Sequence, residues 1–159
     1  MSSVVIASEH DIAGLVWMAQ KSHPYGPYAS YNFRAAAACA EMTAATKDRH
    51  KLVLVAIRNE PVGFAYCRHY RPRFIRETVV ELCDAWLEPG CNPHDAFLLK
   101  FWAGISAWAD NLGAAHVIWN RDVSRLPDRV TKSLGKMGVA QAGFEARMAM
   151  LSAGRSSVT

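Results

Sequence analysis

Apolar and polar positions along this chain alternate between two rhythms, one with a period near two and one near 3.6. "SVVIA" at the start reads as a short strand, and Ser8 with Asp11 forms a capping-box pattern that opens a helix. Ile12, Leu15, Val16 and Ala19 then recur at helical spacing to about Gln20. "SHPYGPYASYNF" breaks the rhythm with two prolines and a glycine while carrying four aromatic residues. A polar connection has no need of those rings, so they either cover the core as a lid or wall a ligand cleft. "RAAAACAEMTAAT" follows as a helix on propensity alone.

"KLVLVAI" and "PVGFAYCRHY" are β-rich runs separated by Arg58, Asn59 and Glu60, the signature of a hairpin with a polar turn. "TVVELCDAWL" is apolar enough to be central in a sheet. From Pro93 onward Phe97, Leu98, Phe101, Trp102, Ile105, Trp108, Ala109 and Leu112 form one wide apolar stripe, which Gly113 ends. "HVIW" reads as a strand, "PDRVTKSLGKM" as a helix with Pro127 at its first position, and "FEARMAML" as a last strand. The order β-α-α-β-β-β-α-β-α-β predicts an α/β (α+β) fold, with a central mixed, mostly antiparallel sheet and helices on both faces. No internal repeat or linker divides the chain. One domain is expected over residues 1–151, with a frayed polar tail at 152–159.

Composition narrows the class. Half of the 159 residues are hydrophobic, enough for one domain with a sizeable core. No apolar run reaches membrane-spanning length, and no basic-then-apolar leader opens the chain, which predicts a cytoplasmic protein with no membrane partner. Cys39, Cys67, Cys83 and Cys91 are scattered without a C-x-x-C pair, fitting reduced thiols rather than a structural zinc site. The net charge of +4 is partly local, since "RHYRPRFIR" gathers Arg68, Arg71, Arg73 and Arg76. Such a cluster is either a solvated hairpin tip or a contact for phosphate or nucleic acid, and no reader motif accompanies it.

One stretch, "EPGCNPHDAFLL", carries the functional question. It stands between a strand and a long helix, where a turn can cradle a phosphate or simply start the helix. Cys91, His94, Asp95 and Glu88 lie close together, but no second half-site with ligand spacing exists, so no metal is expected. Cys91, ahead of a helix N-terminus, is a candidate for a lowered thiol pKa. His116 reads as structural, and Trp86, Trp102, Trp108 and Trp119 as packing or interface residues.

Three segments resemble the GCN5-related N-acetyltransferase family. "LVLVAIRNEPVGFAYC" is similar to its hairpin, including Pro61, Val62 and Gly63 after the turn. "VVELCDAWLEP" is similar to its central strand, and "LGKMGVAQAGFEARMAM" to its closing segment. The resemblance covers nearly the whole chain. It implies acetyl-coenzyme A held after the central strand by a pattern R/Q-x-x-G-x-G/A, in which glycines admit the pyrophosphate and helix-start N–H groups donate to it. It further implies an acid or water on the sheet and often a tyrosine near the last helix.

Placed on that pattern from Pro89, the arginine position is Asn92, and the three small-residue positions are Pro93, Asp95 and Phe97. Pro93 has no N–H, Phe97 is bulky, and Asp95 sets a carboxylate beside a dianion. At ~4 Å and an effective dielectric of about 20, that repulsion is about 4 kcal/mol per charge pair. A penalty of that order weakens binding roughly a thousandfold. The same residues make good helix punctuation, with Asn92 as N-cap, Pro93 at N1 and Asp95 at N3. The tyrosine position falls on Leu134, and an upstream asparagine position falls on Pro127.

The expectation is therefore a diverged member with a degenerate cofactor loop, no cofactor and no catalytic residue. It would be a structural or binding component, as in a bacteriophage virion, with a protein partner or self-association. The alternative is an active acetyl-coenzyme A-dependent N-acetyltransferase with Asp84 or Glu81 as base, and with Trp86, Leu87, Asn92, Asp95 and Ala96 at the cofactor. Nucleic-acid binding through Arg68 to Arg76 is the third class.

Overall fold

The computed structural model describes residues 2–26, 28–91, 94–119 and 147–150. The chain opens with β1 (Ser2–Ile6), a 3-10 turn (Glu9–Asp11), α1 (Ile12–Ser22), a second 3-10 turn (His23–Tyr25) and α2 (Ala35–Lys47). Then come β2 (Lys51–Arg58), β3 (Glu60–Tyr70), β4 (Val79–Leu87), α3 (His94–Asn111), β5 (His116–Trp119) and β6 (Arg147–Met150). The helix expected at "PDRVTKSLGKM" and the tail 152–159 lie outside the described residues.

The six strands among the described residues follow sequence order, β1-β2-β3-β4-β5-β6, in one sheet. Every neighbouring pair is antiparallel except β4–β5, which is parallel. This is the α/β fold with a mostly antiparallel sheet that the pattern predicts. The parallel pair exists because α3 carries the chain back across the sheet between β4 and β5.

Local chemistry explains the punctuation. The Asp11 carboxylate accepts hydrogen bonds from the Ser8 backbone N–H at 2.8 Å and the Ser8 hydroxyl at 2.9 Å. The turn so fixed is 3-10, so the α-helix proper begins at Ile12. The β2–β3 turn is tighter than the three polar residues suggest, because Arg58 and Glu60 already pair and Asn59 alone reverses the chain at φ 66°. Asparagine tolerates that left-handed backbone better than most residues. Gly63 is required for a different reason: a Cβ there would lie 2.6 Å from the Trp86 carbonyl oxygen.

The sheet separates two cores. On one face α3 covers Leu52, Leu54, Ala65, Cys67, Val80 and Leu82, filling the space with Phe97, Leu98, Phe101 and Ile105. On the other, α1 and α2 bring Leu15, Met18, Met42 and Ala45 onto Val53, Val55, Phe64 and Trp86. Successive strand residues point to opposite faces, which is why Val53 and Val55 serve one core and Leu52 and Leu54 the other.

Candidate functional site

Strand β4 holds the acidic residues that the sequence singles out, and it is irregular. Tyr66 pairs with Asp84 while Cys67 pairs with Leu82, leaving Cys83 as an extra residue. Leu82 and Ala85 both lie in the α3-side core although three positions separate them, which only a bulge allows. The bulge therefore turns the Cys83–Asp84 step away from α3.

Glu81 is buried and lies directly opposite Arg68 on β3. The Arg68 Nε–H donates to Glu81 Oε2 at 2.6 Å, and a second guanidinium nitrogen stands at 2.6 Å from the same oxygen. The guanidinium also lies 4.6 Å from the centre of the Tyr70 ring. Both contacts to Glu81 Oε2 are charge-assisted, which fixes the carboxylate against the sheet. Beside it, burial and then the Glu81 charge push the Cys83 thiol up to about 12, so it stays protonated.

Across the bulge, Tyr66 faces Asp84 in register and reaches to α2, where its hydroxyl donates to Glu41 Oε1 at 2.6 Å. Lys51 Nζ donates to the same oxygen at 3.1 Å. The Tyr66 bond, followed by that from Lys51, holds the Glu41 carboxyl below its ordinary value. Burial, then Glu41, raises the Tyr66 phenol well above its ordinary value. Asp84 is half-buried and engaged within the protein. Neither Glu41 nor Tyr66 stands out in the sequence. They are 25 residues apart, and only the packing of α2 on β3 brings them together.

The turn after β4 tests whether a pyrophosphate is cradled there. The Glu88 N–H is given to the Val62 carbonyl at 2.8 Å, and the Cys91 N–H to the Glu88 carbonyl at 3.0 Å. Gly90 at φ 82° closes that turn, the left-handed position glycine favours. Pro89 and Pro93 have no N–H at all. From Glu88 to Cys91, only Gly90 keeps a backbone donor free among the described hydrogen bonds. What remains is the opening turn of α3, which includes Asp95 in sequence.

The other cofactor positions distribute as follows. Trp86 and Leu87 are buried, on the α1/α2 side and the α3 side respectively. Ala96 is half-buried, and Asn92 lies outside the described residues, as do Leu134 and Pro127. Phe97 is fully buried under α3, so its ring anchors the helix to the core and does not crowd the turn. Trp86 and Phe97 lie on opposite faces of the sheet. Cys91 departs from expectation too, because burial raises its thiol pKa. Trp102 and Trp108 pack against the α3-side core as expected.

The arginine cluster divides. Arg68 is bound to Glu81 on the sheet, whereas Arg71, Arg73 and Arg76 are exposed in the β3–β4 connection around a fully exposed Phe74. Among the described residues no group of three or more His, Cys, Asp or Glu is placed to hold a metal, and all four cysteines are free thiols. No helix among the described residues is long and apolar enough to cross a membrane.

Two cavities are lined by residues capable of binding. One of about 310 Å³ is formed by His50, His69, Tyr70, Arg71 and Thr78, with the two histidine Nδ1 atoms 3.2 Å apart. The larger, about 540 Å³, lies under the α1–α2 connection, where His23, Tyr28, Tyr31, Phe33 and Arg34 meet the first turn of α2. Its rim is fixed by a 2.6 Å hydrogen bond from His23 Nε2–H to the Tyr31 carbonyl and by the packing of His23 on Phe33. The aromatic segment thus forms a cleft wall, one of the two roles its rings suggest.

No protein-family model and no curated protein matches the sequence. Solved structures do. AAC(6')-Iy, solved with the bisubstrate analogue CoA-S-monomethyl-acetylneamine, superposes with a TM-score of 0.70 at 14% identity, over 89% of this chain and 92% of its own. A predicted acetyltransferase from Clostridium acetobutylicum, solved with acetyl-CoA, gives 0.69 at 11% identity over 89% and 92%. An acetyltransferase of the GNAT family from Streptococcus pneumoniae gives 0.64 at 12% identity over 87% and 83%. The fold is that of the GCN5-related N-acetyltransferases. The acetyltransferase fold is therefore shared across almost the full length of both partners, while identities of this size speak to architecture alone.

Proposed function

We propose that this protein uses the acetyltransferase fold to bind rather than to transfer, as a binding or structural component whose working surface is the aromatic cleft between α1 and α2. The observation that carries this reading is the donor count at the turn after β4. Two of its N–H groups are already spent within the protein, and two prolines supply none. The capture of Glu81 by Arg68 supports the same reading, since it removes one of the two carboxylates available as a base.

A second reading, an acetyl-coenzyme A-dependent N-acetyltransferase using Asp84, is favoured by one feature. Strand β5 pairs with β4 only from Val79 to Leu82, so among the described residues Cys83 to Leu87 have no partner on that edge. Thermal melting with acetyl-coenzyme A separates the two. A dissociation constant near 1 µM with ligand at 1,000-fold excess over it adds about 4 kcal/mol of stability. The binding-only reading expects no shift in melting temperature. A clear shift, together with amine acetylation that Asp84→Asn abolishes, would establish the second reading. Stoichiometric recovery with a protein partner or a virion-like particle supports the first.

A further inference from the structure

The α1–α2 cleft has a composition that selects its occupant. At about 540 Å³ it falls within the range of small-molecule sites. Its walls are rings: Tyr28 and Tyr31 lie 6.4 Å apart at 58°, and His23 and Phe33 lie 5.4 Å apart at 59°. Tilted rings of this kind offer both faces and edges to a flat guest. Aromatic walls alone would also suit a cation. The charge decides against that: Arg34 lines the cleft, and no Asp or Glu does so among the described residues.

Arg34 makes no ion pair among the described residues. Asn32 adds an amide to the same wall. The opening turn of α2 borders the cleft with no side-chain cap and no acidic residue. The partial positive charge at that helix end therefore adds to the guanidinium rather than being neutralised. The His23 Nε2–H is given to the Tyr31 carbonyl, which fixes the ring at the cleft rim. A ligand with a ring and a carboxylate is satisfied by this set, the ring against the exposed tyrosine faces and the carboxylate on Arg34.

We propose that the cleft binds a small planar aromatic molecule bearing a carboxylate, and that Arg34 selects for its negative charge. This rests on the cleft being the working surface, and goes further by naming what it takes. The class contrasts with an amine acceptor, which Arg34 would repel.

The test uses the whole chain and three probes of one shape: 2-naphthoate, the neutral 2-naphthamide and the cationic 2-naphthylmethylamine. Binding is read by calorimetry and by NMR shifts of the His23, Tyr28 and Tyr31 ring signals. The acid binds most tightly, the amide less and the amine least, with shifts confined to those rings. Arg34→Gln weakens the acid about ten- to hundredfold and leaves the amide unchanged. Arg34 is exposed, so this variant keeps the fold. Tyr31→Ala weakens acid and amide together. Equal or tighter binding of the amine, indifference of the acid to Arg34→Gln, or no ring shifts with millimolar acid overturns the proposal. A parallel acetyl-coenzyme A titration is read separately. Cofactor binding alongside naphthoate selectivity ends the binding-only reading and leaves this one standing, and the reverse pattern does the opposite.

Discussion

The two faces of the sheet are built from alternate residues of the same strands, yet they do different work. The α3 face is a core built mainly of Leu, Val, Ala and Phe side chains, closed by Phe97, Phe101 and Ile105. The α1/α2 face carries a core as well, but its margin holds Glu41, Tyr66, Arg68 and Glu81 in paired contacts, and its connection holds the aromatic cleft. Burial of apolar side chains gives stability but little directional chemistry. The face that keeps polar groups must match each with a partner, and in doing so it gains specific geometry.

That contrast is broken most directly on the α3 face. Phe97→Ala removes a fully buried ring and is expected to lower unfolding free energy by about 3–5 kcal/mol in urea titrations. A loss near zero would mean the α3 core is not as close-packed as its burial implies. Gly63→Ala comes next, at about 1–3 kcal/mol, because the added methyl meets a backbone carbonyl that cannot easily move.

On the polar face the effects are smaller and depend on charge. Arg68→Ala leaves the Glu81 carboxylate buried without its counter-ion and should cost about 1–3 kcal/mol by chemical denaturation. Adding Glu81→Gln should recover much of that loss, because the amide carries no charge to strand. An undiminished loss in the double variant would show that Arg68 matters through packing on Tyr70 instead.

The smallest effect is pH-dependent. Glu41 is held below its unfolded value, so its contribution is complete above the ordinary carboxylate pKa and fades as pH falls through the folded one. Tyr66 is raised, so its contribution is complete below the ordinary phenol value and fades as pH rises through the folded one. Tyr66→Phe should therefore lower stability at neutral pH by within about 1 kcal/mol, given the exposure of Glu41. The gap from the unsubstituted protein should narrow in acid. A gap independent of pH would remove the Glu41 bond from the account.

Much of the architecture was legible along the chain because it rests on local rules. The Ser8–Asp11 capping box, the stripe from Phe97 to Leu112, and the runs "KLVLVAI" and "PVGFAYCRHY" each announce an element within a dozen residues. The site was less legible. Glu81 and Asp84 could be named from the strand they occupy, but not their fates, since Arg68 enters through strand register and the Cys83 bulge resets the alternation. Cys91 was misjudged because a position ahead of a helix suggests a lowered pKa, whereas burial acts the other way.

The sequence by itself determined the order and type of the described elements, and the loss of two backbone donors after β4 to Pro89 and Pro93. Periodicity, caps and the missing N–H of proline are properties of neighbouring residues. Only the tertiary structure decided that Arg68 captures Glu81, that Glu41 meets Tyr66, and that Arg34 closes an aromatic cleft free of carboxylates among its described walls. Those are encounters between residues distant in sequence or across a helix start, fixed by register and by helix packing, and no local pattern encodes them.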